Sequence, residues 1–98
     1  MATFEEVVTL LTAKSANVAA FGKKIKVVLD GEALIVNGSQ DPVTIDTVDA
    51  EADIVVTATL DDFYNIITKK TNAQLALMNG KLKTKGDMLA LVPLIKLL

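Results

Sequence analysis

The sequence predicts an α+β fold: a five-stranded, mixed but mostly antiparallel sheet covered on one face by helices. Three observations predict it. The apolar period is helical near the start, between residues 59 and 80, and at the end, but is two from residue 24 to 58 and again at 81–85. Tight-turn signals separate the period-two segments. The 98 residues, 51% of them apolar, suit one domain spanning 1–98 with a modest core.

The elements follow in order. "TFEEVVTLLTAK" begins with Thr3 followed by Glu6, a capping box. Phe4, Val7, Val8 and Leu11 then recur at the i, i+3, i+4, i+7 spacing of an amphipathic helix. "SANVAAFG" has no clear period and reads as a short helical turn ending at Gly22. "KIKVVLD" puts Ile25, Val27 and Leu29 on one face, "DGE" is a tight turn, and "ALIVN" returns. After the turn "GSQDP", Val43, Ile45 and Thr47 share a side; after "DAEAD", so do Ile54, Val56 and Ala58. Thr59 and Asp62 predict a second capping box, leading a stripe of Phe63, Ile66 and Ile67. Asn72 caps a short helix that stops at Gly80. "KLKTK" alternates, with Leu82 and Thr84 inward and Lys81, Lys83 and Lys85 outward. Gly86 ends that strand and Asp87 caps the last helix. The three hairpin-like links imply antiparallel pairs, and the helical crossover before the fifth strand implies one strand paired out of order, in parallel.

Composition narrows function. With no cysteine and no histidine, disulfides, zinc–thiolate sites and Cys or His nucleophiles are excluded. All ten cations are lysines and the net charge is −2, so no basic field points to nucleic acid. "MATFEE" lacks the pattern of a signal peptide, and no apolar run reaches the roughly 18 residues of a membrane span. The expected location is cytoplasmic. No cofactor is implied.

The acids Asp46, Asp49, Glu51 and Asp53 lack EF-hand spacing and its glycine, so they read as a solvated turn, not a metal site. Asp61 and Asp62 suit a helix N-terminus. Tyr64 beside them offers an acid for chemistry on a lipid-like substrate, but a half-exposed helical tyrosine is the plainer reading. The lysines at 69, 70, 81, 83 and 85 read as solvated faces, with an anionic headgroup or membrane surface as the alternative.

The final segment, "GDMLALVPLIKLL", stands apart. On a helical wheel Met88, Leu91, Val92 and Ile95 share a face, and Leu89, Leu94, Leu97 and Leu98 spread over the rest. A helix that is apolar all round touches apolar material on more than one side. Pro93 within it predicts a kink, at a cost near 3 kcal/mol in a helix interior. Capping a cavity, dimerising, dipping into a bilayer surface and plain core packing all remain open for it.

"ADIVVTATLDDF", "TNAQLALM" and "NGKLKTKGDM" follow one another without a gap from Ala52 to Met88, in the order and spacing of the sterol carrier protein 2 family, which the chain resembles. Asn79 stands where Gln is typical and Asp87 where Asn is typical, and "KLL" does not match the peroxisomal signal that ends many members. The resemblance implies a five-stranded mixed sheet, helices on one side, and between them an apolar tunnel for fatty acids, acyl-CoA, sterols or phospholipids, closed by the last helix as a lid. It implies non-covalent lipid binding and transfer rather than catalysis. The inward faces then supply the expected lining: Val56, Phe63, Ile67, Leu77, Met78, Leu82, Met88, Leu91, Val92 and Ile95, with Asn79 and Lys81 at a polar mouth. Lipid is the expected partner, with transient membrane contact. A homodimer through the last helix, its cavity filled, is the alternative, followed by an enzyme using Tyr64.

Overall fold

The structure, a computed structural model, describes residues 2–98. The chain runs α1 (Phe4–Ser15), β1 (Lys24–Leu29), β2 (Glu32–Asn37), β3 (Thr44–Asp46), β4 (Ile54–Ala58), α2 (Leu60–Ile67), α3 (Ala73–Met78), β5 (Lys83–Gly86), a 3₁₀ turn (Met88–Ala90) and α4 (Leu91–Leu97). The sheet order is β3-β2-β1-β4-β5. All pairs are antiparallel except β1 with β4. The α+β architecture is the one the sequence predicts.

The parallel pair arises at a different link from the one expected. "DAEAD" is not a hairpin turn: residues 47–53 carry the chain from the edge strand β3 past β2 and β1 to β4. Seven residues reach at most about 25 Å, which suffices to cross three strand spacings of about 5 Å diagonally. The link lies on the sheet face away from the helices, where Lys26 Nζ holds Asp49 at 2.8 Å. That bond draws the Asp49 carboxyl below its usual range. The link buries Ile35, whose neighbours across the sheet, Lys26 and Asp46, point to the same outer face.

Alternation sets the two faces. Ile25, Val27 and Leu29 pair with Val36, Leu34 and Glu32 on one side and with Ile54, Val56 and Ala58 on the other. Their buried side chains meet Val7 and Leu11 of α1 and Phe63, Ile66 and Ile67 of α2 in one core. Ile45 and Thr84 face the same way, being opposite Val36 and Val56. Leu82 is buried just before β5, and Lys81, Lys83 and Lys85 are exposed, as expected.

Helix starts follow their caps. Thr3 Oγ1 accepts the Glu6 N–H at 3.1 Å while Glu6 Oε1 accepts that of Thr3. Thr59 Oγ1 accepts the Asp62 N–H at 3.1 Å. Instead of a reciprocal box there, the next free donor, Leu60 N–H, goes to Asp30 Oδ2 at 3.1 Å, so the β1–β2 turn caps α2 from outside. Asp30 and Gly31 both have positive φ, as the tight "DG" hairpin requires. Asn72 Oδ1 accepts from Gln74 and Leu75, and α3 closes at Asn79 before Gly80. "SANVAAFG" does not make a helical turn up to Gly22: Ser15 ends α1, residues 16–17 turn, and the rest is a loop tied to Gly38, whose O accepts the Phe21 and Gly22 N–H groups at 2.9 Å and whose N–H donates to Lys23 O at 2.8 Å.

The Pro93 kink is corrected. A 3₁₀ turn ends at Ala90 and α4 starts at Leu91, which puts Pro93 third in the helix. The first-turn N–H groups have no intrahelical acceptor, so proline forfeits nothing there.

Two outcomes follow. Replacing Thr59 with Ala should lower unfolding free energy by about 1 kcal/mol in a denaturant titration. Gly38→Ala should cost more, about 1–3 kcal/mol, because a Cβ there overlaps the Phe21 ring and the Lys23 carbonyl oxygen.

Candidate functional site

An apolar groove open to solvent lies outside the core, against the back of α4. Its volume is about 620 Å³, within the range of about 300–1,000 Å³ usual for small-molecule sites. One wall is the loop after α1, with Val18, Ala19, Phe21 and Lys23. The other is Leu89, Val92, Pro93, Lys96 and Leu97. From Leu89 these recur at i, i+3, i+4 and i+7, one stripe of a helix.

This resolves the helix that is apolar all round. Ala90, Leu91, Leu94, Leu97 and Leu98 are buried in the core. Leu89 and Val92, 75% and 54% exposed, form the opposite side. One face of the helix belongs to the domain and the other to the groove.

The loop wall is held at both ends. Gly38 fixes Phe21 and Lys23 as above, and Val18 O accepts the Val43 N–H at 2.9 Å. Lys23 Nζ meets Asp87 Oδ2 at 2.7 Å, joining the loop to the start of the last helical segment. Asp87 Oδ1 also accepts the Leu89 N–H at 3.0 Å, and the Asp87 N–H donates to Asp53 O at 2.8 Å. The hydrogen bond to Lys23 draws the Asp87 carboxyl below the usual carboxylate range, and the same bond raises Lys23.

The expected lining divides into groups. Val56, Phe63, Ile67, Leu82 and Leu91 are buried in the core between sheet and helices. Leu77 and Ile95 are half-buried against it. The inward placement expected for Met78, Met88 and Val92 is corrected: they are 81%, 52% and 54% exposed. Val92 lines the groove. Met78 ends α3 on its outer side, and the Met88 sulfur accepts from Thr84 Oγ1 at 3.4 Å. Asn79 and Lys81 do not stand at the mouth of the apolar groove; they border a separate polar hollow with Asp30, Thr59 and Asp62.

Two physical causes explain the differences. The final segment is apolar on every side, so a wheel cannot tell which face is buried: the core takes Ala90, Leu91, Leu94, Leu97 and Leu98, and Val92, about 100° round the helix from Leu91, falls outside it. The loop wall, including Phe21 and Lys23, lies in "SANVAAFGK", where no period is readable. Its one signal is a lone aromatic beside a glycine, within a stretch of small residues.

Tyr64 is half-buried against the core. Among the described residues no cluster of three or more acidic side chains is placed to hold a metal ion, and no helix is long and apolar enough to cross a membrane.

Comparison with known proteins agrees with this architecture. Over 48 residues, 49% of this chain, the sequence is 42% identical to hydroxysteroid dehydrogenase-like protein 2 of Homo sapiens, a stretch that is 12% of that protein's length. The fold is similar to that of palmitated SCP2L2 from Aedes aegypti, with a TM-score of 0.76 and 24% identity over 98% of this chain and 93% of that one. It is also similar to apo sterol carrier protein 2 from Yarrowia lipolytica, with a TM-score of 0.62 and 21% identity over 96% of this chain and 77% of that one. Residues 4–98 match the SCP-2 sterol transfer family, and with that match over nearly its whole length the chain belongs to this family.

Proposed function

We propose that this domain binds a lipid non-covalently and carries it, with the acyl chain or ring system lying in the groove between the α1–β1 loop and the back of α4. The observation that carries the reading is an apolar surface left open on a helix whose other face is already buried. Among the described residues Leu89 and Val92 stay 75% and 54% exposed, and Phe21 stands across the groove from them. Covering such a surface with an acyl chain returns about 25 cal/mol per Å² removed from water. Membership of the SCP-2 sterol transfer family supports the lipid class. The palmitated relative supports a fatty acid as the first ligand to try. No residue is assigned to catalysis.

In this reading Val56, Phe63, Ile67, Leu82 and Leu91 act from beneath, by fixing α4 on the sheet, while Val92 touches the ligand. The test is a pair of aspartates on neighbouring residues. Val92→Asp should remain folded by circular dichroism and bind a fluorescent fatty acid about tenfold more weakly or worse, because a charge then faces an apolar chain. Leu91→Asp should unfold the domain, since losing a buried leucine already costs about 2–5 kcal/mol. A folded Val92→Asp variant with normal binding contradicts the reading. Sedimentation of the lipid-free wild type covers the dimer alternative: a dimer that Val92→Asp dissociates, without lipid binding in either form, assigns the exposed face to a second copy.

A further inference from the structure

We infer that Asp87 sets the direction in which a carboxylate amphiphile lies in the groove, with its headgroup at Lys96 and its tail towards Leu89. The inference rests on the lipid-binding reading and deepens it. The groove is lined by two cations and no carboxylate. They mark different ends. Lys23 is tied to Asp87, next to the 3₁₀ turn that begins the last helical segment. Lys96 lies seven residues beyond Leu89, a rise on the order of 10 Å along a helix.

The two ends differ in charge. Lys23 sits 2.7 Å from a carboxylate, so its end presents a neutral pair. Asp87 cannot readily swing aside, because its second oxygen holds the Leu89 N–H at 3.0 Å and its own N–H is bound to Asp53 O. A ligand carboxylate arriving at Lys23 meets attraction and repulsion at similar range, and the two nearly cancel. Lys96 is exposed and forms no ion pair among the described residues. A carboxylate there gains an opposite charge that no acidic side chain pairs, shared only with the free carbonyls of the last turn of α4. The shifts in Lys23 and Asp87, each towards its charged form, agree with a pair that stays intact at neutral pH.

The test compares palmitate with hexadecanol, which share a tail and differ in headgroup charge, so the ratio of their affinities reports the headgroup alone. Four proteins are titrated: wild type, Lys96→Met, Asp87→Asn and the double variant Lys23→Met/Asp87→Asn. Asparagine keeps the helix cap and methionine keeps most of the apolar stem. Lys96→Met should lower the palmitate-to-hexadecanol ratio about two- to fivefold, the size of one exposed charge pair. Asp87→Asn should raise it by a similar factor by freeing Lys23, and the double variant should return to the wild-type ratio. An unchanged ratio in Lys96→Met or in Asp87→Asn overturns the inference, as does a double variant that falls well below wild type. Failure of both ligands to bind folded wild type overturns the lipid-binding reading itself.

Discussion

The structure depends on the burial of one side of its last helix. Leu91, Leu94, Leu97 and Leu98 close the core over the sheet, beside α1. At about 1.5–3 kcal/mol each, four such side chains contribute on the order of 6–12 kcal/mol, an upper estimate. That is comparable to the whole stability of a small domain, about 5–15 kcal/mol. In the proposed reading this burial makes the last helix a wall with the groove behind it, where the family resemblance implies a lid over a tunnel.

The same arithmetic explains how a short chain has apolar surface to spare. A domain of this size buries only about 60–65% of its unfolded surface. Its core is completed by one face of each helix. Leu89 and Val92 lie beyond that requirement, on the side the sheet cannot reach. The Lys23–Asp87 pair is about one-third exposed at each side chain, so its worth in stability is small. Its consequence is positional: it brings Lys23 of the loop wall to the foot of the helix wall and neutralises one end of the groove.

Much of the fold was legible because it depends on local signals. Thr3, Thr59, Asn72 and Asp87 all cap where their side chains predict, and alternation assigns Ile25, Val56 and Thr84 to the helix-covered face. What was not legible depends on distant partners. The crossover through residues 47–53 follows from strand order, which a turn sequence does not encode. The groove required two things hidden in the chain: which side of an all-apolar helix the core takes, and a loop shaped by Gly38 from seventeen residues further on than Phe21. The apolar character of the final helix was readable, while the division of its faces between core and groove was not.

The central claim is that the ligand lies behind α4 and not between α4 and the sheet. Nuclear Overhauser contacts from palmitate to the protein's methyl and aromatic protons test it most directly, with amide exchange across α4 followed on the same sample. The account predicts contacts to Phe21, Leu89 and Val92, and amides of Leu94–Leu98 equally protected with and without lipid. Contacts to Val56, Phe63 and Leu82, with protection in α4 that changes on loading, would contradict it and restore the tunnel beneath the helix.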